Sequence, residues 1–351
     1  MSGVIRVLVI DDSAMVREIL KQGLDGDPLI QVVDTAPDPF IARDKILKCK
    51  PDVLTLDVEM PKMDGVEFLR KLMPQYPLPV VMVSSLTQKG KKITLDALEA
   101  GAVDFVSKPT ANIAEGLKGM MMELRAKVKI ASTANVSHWK NKKPVELRKK
   151  IEGSTALAES TDKVVVIGAS TGGTEALRKI ISSFPLTMPG TVVVQHMPAG
   201  FTTMFAERVD SDSAVRVKEA ETGDRIMQGK VLIARGDYHL EVVRSGGLYQ
   251  ARCFEGEKVC GHRPSVEVLM QSAAKSVGAN AVGVMLTGMG HDGADGMLAM
   301  RNAGARTIAQ DEASCIVFGM PKEAYKRGGA EKLVPLNNIS QTIISLLSKD
   351  T

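Results

Sequence analysis

The chain has 351 residues, too many for one ordinary core and suited to two domains, and its 44% hydrophobic and 25% charged residues exclude a wholly disordered or fibrous protein. Formal net charge is +4, but His138 to Lys150 alone holds six Lys or Arg against one Glu. That surplus of five leaves the remainder near about −1, and with aromatics at only 4% no aromatic-interleaved basic face for nucleic acid is expected. There is no apolar run of about 18 residues, and the first apolar stretch soon reaches Asp11 and Asp12. Neither membrane insertion nor a secretory signal is therefore expected, and the expected location is cytoplasmic. Cys49, Cys253, Cys260 and Cys315 form no CxxC pair and read as free thiols.

In chain order, VIRVLVI (4–10) reads as a strand ending in Asp11, Asp12 and Ser13, followed by an amphipathic helix with Met15, Ile19 and Leu20 on its apolar face. The unit recurs as DVLTLD (52–57) before a helix at Gly65 to Leu72, PVVMVSS (79–85) before ITLDALEAG, and AVDFVSKP (102–109). Alternating strands and helices predict a parallel sheet covered on both faces, assigned to residues 1–125. Residues 126–162 are assigned to a linker, of which 131–162 carry charge, Ser and Thr with little apolar periodicity, and PVELRKKIE (144–152) could form a short helix. Trp139, the only tryptophan, falls in this segment and is read as packing on a neighbouring surface rather than holding a cofactor.

A second series starts at Lys163 with KVVVIGAS, a helix, TVVVQHMP and another helix. Short β-like pieces follow, VLIARGDYHLEVV and GLYQARCF, then a helix from Pro264. The chain closes with AVGVMLTGMG, a helix through Met300, ARTIAQ and an amphipathic helix from Asn337. Residues 163–351 are expected to form a larger doubly wound α/β domain with a β-hairpin insertion.

Ligands of an open parallel sheet sit at the carboxyl ends of its strands, which makes Asp11, Asp12, Asp57, Ser84 and Lys108 site candidates. Carboxylates converging on one rim repel unless a cation joins them, and Mg²⁺ prefers such oxygen ligands. Lys108 can pair with a phosphoryl oxygen, Ser84 can donate to another, and the Asp57 carboxylate can act as a nucleophile towards phosphorus. Any one of these acids taken alone would sooner be a helix cap. VLVIDDS, TLDVEMPKMDG, PVVMVSS and DFVSKP resemble the receiver domain of two-component response regulators over about residues 4–125. The resemblance implies a flavodoxin-like fold, phosphorylation of Asp57 by a histidine kinase, Mg²⁺ held with the help of Asp11 and Asp12 beside Asp57, and resetting of Ser84, Phe105 and Lys108 on phosphorylation.

In the second domain a strand runs into Gly168-Ala169-Ser170-Thr171-Gly172, a G-x-S-x-G turn before a helix. Small neighbours let the Ser170 hydroxyl stand clear, and helix-opening amides can stabilise an anionic oxygen. A phosphate-binding loop is the rival, although no P-loop Lys follows and Ser170 stands where G-x-G-x-x-G needs glycine. His196, at the end of the next strand, is the leading base. His291 beside Asp292 competes with it, whereas His138, His239 and His262 sit in a linker, a hairpin and a pre-helix segment. Asp292, at the mouth of a helix, is either that helix's N-cap or the acid that orients the histidine.

IGASTGGTEAL, VVQHMPAGFT, GHRPSVEVL and LTGMGHDGADGM resemble the catalytic domain of the chemotaxis protein-glutamate methylesterases, so that the two resemblances together cover nearly all of the chain. This second one implies Ser170 as nucleophile, His196 as general base and acid, Asp292 as its orienting carboxylate and the Met289 amide as an oxyanion donor. The expected protein is a phosphorylation-gated, monomeric serine hydrolase that demethylates and deamidates chemoreceptors, with no metal for ester hydrolysis. A regulator whose second domain only binds receptor or kinase is the alternative; a transcription factor is disfavoured because no basic helix-turn-helix module follows the receiver.

Overall fold

The computed structural model describes residues 3–84, 87–109, 113–141 and 162–348, so the short helix expected over 144–152 lies outside the described residues. The chain divides into two units, Met1–Glu146 and Leu147–Thr351.

In the first unit β1 (Ile5–Ile10), β2 (Ile30–Ala36), β3 (Val53–Asp57), β4 (Val80–Ser84) and β5 (Asp104–Ser107) form a parallel sheet in the order β2-β1-β3-β4-β5. Helices α1 (Ala14–Asp25), α2 (Pro39–Cys49), α3 (Gly65–Gln75), α4 (Gln88–Glu99) and α5 (Ile113–Ala131) connect and cover it. Every residue of β3 and β4 is buried, as the unbroken apolar runs of a doubly covered sheet require. Helix starts follow from side-chain caps: Ser13, Asp38 (with Pro39 in the first helical turn), Asp64 and Thr87 each accept from an amide of the turn they open.

β2 is absent from the strands read off the sequence, because IQVVDTA lies at the sheet edge and is only partly buried. The linker expected from residue 126 also differs. Leu124, Val128 and Ala131 recur on one buried face, so α5 continues to Ala131. Beyond it Trp139 is buried near Gly101, and the Asn141 amide donates to the Pro74 carbonyl at 3.0 Å. Burial of that large ring keeps residues 132–141 on the first unit.

The second unit has a seven-stranded parallel sheet in the order β14-β13-β12-β6-β7-β9-β8. Its strands are β6 (Val164–Ala169), β7 (Gly190–Gln195), β8 (Arg216–Glu219), β9 (Lys230–Ile233), β12 (Ala281–Met285), β13 (Arg306–Gln310) and β14 (Lys332–Val334). Helices α6 (Gly173–Ile181), α7 (Phe201–Asp212), α8 (Val266–Ser276), α9 (Ala294–Asn302), α10 (Met320–Lys326) and α11 (Leu336–Ser348) complete the unit. The segment read as one β-like piece from Val231 splits: its start is β9, and its end is β10 (His239–Ser245), which pairs with β11 (Leu248–Phe254) as a separate antiparallel hairpin. The hairpin turn is Gly246-Gly247 with φ of 56° and 85°, positive values that a two-residue type I′ turn demands. Strand order reverses at β6, whose neighbours are β7 and β12, and the loops leaving these three strands come together at the switch point of the sheet.

Candidate active site and phosphoacceptor site

Ser170 follows the last residue of β6 and opens the turn into α6. Its amide donates to the Thr287 carbonyl at 3.0 Å, and its carbonyl accepts from Gly173 at 2.7 Å. Two glycines make room for this turn. A Cβ at Gly168 would stand 2.2 Å from the Val266 side chain, and one at Gly288 would stand 2.7 Å from Ser170 Cβ.

His196 follows β7 directly. One ring nitrogen, Nδ1, lies 3.1 Å from Ser170 Oγ, and the other, Nε2, lies 2.7 Å from Asp292 Oδ2. An ionised Asp292 fixes a proton on Nε2 and leaves the Nδ1 lone pair facing the serine hydroxyl. The structure thus brings Ser170, His196 and Asp292 together. It does not bring in His291, an exposed residue whose carbonyl accepts from Ala294 and which makes no hydrogen bond with Ser170.

Asp292 does not cap the helix that follows it, whose N-cap is Gly293. Its carboxylate accepts instead from Ser265 Oγ (2.7 Å), the Val266 amide (2.7 Å) and the Glu267 amide (3.0 Å), and so satisfies the start of α8. Burial pushes its pKa up, but the hydrogen bonds from His196, Ser265 and Val266 outweigh burial and hold it below the ordinary carboxyl value.

Three contributors to the site have no role assigned in the sequence reading. His262 stacks on His196, with ring centroids 3.8 Å apart and planes 12° from parallel. It is carried by a tight turn in which Val259 and His262 exchange backbone hydrogen bonds, with Cys260 and Gly261 at positive φ. Ser265 holds the orienting carboxylate. Thr287, fully buried, donates from Oγ1 to the Thr171 carbonyl (3.0 Å), and its amide donates to Gln310 Oε1 (2.9 Å). Met289 sits in the next turn, which is pinned because the Gly288 carbonyl accepts from Gly319 and Met320. The Met289 amide itself donates to no protein acceptor among the described residues.

In the first unit Asp11 and Asp12 follow β1, Asp57 ends β3 and Lys108 follows β5. One carboxylate oxygen from each of Asp11, Asp12 and Asp57 lies within 4.8 Å of the others. Lys108 Nζ bridges Asp11 Oδ2 and Asp57 Oδ1, both at 3.0 Å. Burial raises the Asp57 pKa to about 6; Lys108 opposes the rise and Asp11 adds to it. The lysine also stands above its ordinary value, because Asp57 and Asp11 outweigh its own burial. Three carboxylates gathered on one rim, two of them buried, fit a hard divalent cation, whose charge would offset their mutual repulsion. Ser84 Oγ is engaged with α4, accepting from Thr94 Oγ1 at 2.6 Å. Phe105 is buried, with Lys127 Nζ 5.1 Å from its ring centre.

A serine, histidine and aspartate aligned on a doubly wound sheet, in a chain that also carries an acidic rim on a second parallel sheet, define a serine hydrolase joined to a receiver. Comparison with known proteins narrows the class. The CheB methylesterase family matches residues 165–343, and the response regulator receiver domain matches residues 7–117. The chain is 70% identical over 346 residues to the protein-glutamate methylesterase/protein-glutamine glutaminase of Syntrophotalea carbinolica, covering 98% of each. It is 51% identical over 344 residues to the protein of the same name from Salmonella typhimurium, covering 98% of this chain and 97% of that one. The crystal structure of the Thermotoga maritima CheB methylesterase catalytic domain aligns with a TM-score of 0.52 and 40% identity, over 53% of this chain and all of that one. The chain belongs to the CheB methylesterase family.

Proposed function

We propose that the protein is a phosphorylation-activated serine hydrolase that removes methyl groups from glutamate γ-methyl esters of chemoreceptors and deamidates receptor glutamines. The observation that carries this reading is the hydrogen-bonded chain from Ser170 Oγ through His196 to Asp292, in a protein that also holds the Asp57 site. Ser170 Oγ attacks the ester carbonyl while His196 Nδ1 takes its proton. Asp292 stabilises the resulting imidazolium through Nε2–H, and the Met289 amide donates to the tetrahedral oxyanion. His196 returns the proton to the departing methoxide, or to the amine of a glutamine substrate, releasing methanol or ammonia. Water, activated by the same Nδ1, then hydrolyses the acyl-enzyme to glutamate and free Ser170.

In the receiver Asp57 is the phosphoacceptor from a histidine kinase, and Asp11, Asp12 and Asp57 are the residues that would hold Mg²⁺. When bound, the ion supplies positive charge to the transferring phosphoryl oxygens. Lys108 pairs with the phosphorylated Asp57, and Ser84 and Phe105 reset around it. The described residues contain no helix long and apolar enough to cross a membrane.

The test is methanol release from a methylated receptor preparation together with acyl phosphate formation at Asp57. Ser170→Ala is expected to lose methanol release, by about 10³-fold or more, and to keep phosphorylation. Parallel loss of both would count against separate sites.

A further inference from the structure

The backbone ladder between β6 and β7 ends at the pair Ala169 and Gln195, with a last bond from the His196 amide to the Ala169 carbonyl at 3.1 Å. Ser170 and His196 lie one residue further on, where the two chains part into the serine turn and the loop to α7. That last bond ties the His196 amide to the peptide unit leading into Ser170, and beyond it no backbone hydrogen bond links the two diverging chains among the described residues.

The Gln195 side chain spans that gap. Its Nε2 donates to the Ser170 carbonyl at 2.9 Å and to the His196 carbonyl at 3.2 Å. The residue is 3% exposed, and its Oε1 is buried without a hydrogen-bond partner. That oxygen sits against Gly173, where a Cβ would stand 2.1 Å from it. A buried amide with an unmade acceptor bond is unfavourable for folding, and an apolar side chain of the same length would remove the penalty.

We infer that Gln195 is a positioning residue for the hydrolytic reaction, a cross-brace that holds the Ser170 and His196 main chains in register beyond the end of the sheet ladder, with Gly173, the first residue of α6, kept free of a side chain to admit it. This rests on the roles proposed above for Ser170 and His196. The Oε1/Nε2 orientation follows from the partners, since an oxygen facing two carbonyls would be repelled by both.

Gln195→Met keeps length and volume and removes both the brace and the unpaired oxygen, while Gln195→Glu keeps the shape and sets a carboxylate against the two carbonyls. Each full-length variant is titrated to completion with a fluorophosphonate, which counts competent serines, and kcat and KM for methyl-ester hydrolysis are read per titrated site beside the thermal unfolding midpoint. A brace predicts kcat about 10- to 100-fold lower in both variants, with KM within about twofold and slower fluorophosphonate labelling. In Gln195→Met the unfolding midpoint is expected unchanged or higher. A merely structural Gln195 gives the converse, a lowered midpoint with wild-type kcat per titrated site, and wild-type kcat per site in either variant overturns the inference. Ser170→Ala is run alongside: turnover surviving there overturns the site assignment itself, whereas an inactive Ser170→Ala with a fully active Gln195→Met removes the brace alone.

Discussion

Which nitrogen of His196 carries the proton is decided by Asp292, and that carboxylate has a second task at the start of α8. Asp292→Asn keeps one acceptor oxygen, enough for the Ser265 hydroxyl and the Glu267 amide, but loses the oxygen shared by His196 and the Val266 amide together with the charge that stabilises an imidazolium. The expected fall in kcat is about 10²- to 10⁴-fold with KM little changed, less severe than loss of Ser170. A stability effect accompanies it. The folded pKa of Asp292 lies below the ordinary 3.8, so in the interval between the two values the unfolded chain binds more protons and stability rises with pH. The contribution is complete above about 3.8 and is lost as pH falls through the folded value. Denaturant unfolding of the catalytic unit should show wild type more stable than Asp292→Asn at pH 5 to 7, the two converging only below about pH 3.8; a gap that widens towards acid would contradict the assignment of the carboxylate's partners.

Among the elements, α4 is tied to the end of β4 by buried hydrogen bonds of Ser84 Oγ, which accepts from Thr94 Oγ1 at 2.6 Å and donates to the Gly90 carbonyl at 3.4 Å. For the Ser84 hydroxyl to reach a phosphoryl group on Asp57, these bonds must break, and the shorter is the one from Thr94. Thr94→Val keeps the shape and removes the donor, so the receiver should cross to its phosphorylated arrangement more readily. A hydrogen bond of about 0.5–1.5 kcal/mol corresponds to roughly two- to tenfold tighter beryllofluoride binding, measured by titration with Mg²⁺ present, and unchanged affinity would count against the tie. The same scale shows how far the sequence is legible. Strands β3, β4, β6, β7 and β12 announce themselves as apolar runs because both faces are covered, whereas the edge strands β2 and β8 bury too little to leave a pattern. Ser170, His196 and Asp292 can be read from their places after β6, β7 and β12, since neighbouring parallel strands deliver their ends to one rim. The α8 partners of Asp292 cannot, because 26 residues separate Asp292 from Val266 and only the packing of α8 joins them. His262 reaches His196 through a positive-φ turn at Cys260 that no local pattern marks.

At the scale of the whole chain, each unit has a sheet, a buried core and a candidate site of its own, so the two activities are separable and their coupling is measurable. The related Thermotoga maritima catalytic domain was crystallised on its own, and it aligns over 53% of this chain, which supports a folded fragment from residue 163 onward. If the unphosphorylated receiver restrains the hydrolase, two changes must act in opposite directions. Asp57→Asn removes the phosphoacceptor and should leave methanol release at the resting rate, unresponsive to kinase or a small phosphodonor. Removing residues 1–150 should raise the rate with no phosphodonor at all, by a factor no larger than the reciprocal of the fraction of resting protein already active, each tenfold rise corresponding to about 1.4 kcal/mol of restraint. Full-length protein, Asp57→Asn and the fragment are compared per fluorophosphonate-titrated site on one methylated receptor preparation, so that differences in folding do not enter. A fragment no faster than resting full-length protein removes the restraint; activation must then come from something the phosphorylated receiver adds, such as recruitment to the receptor, and the fragment would stay slow however much phosphodonor is supplied.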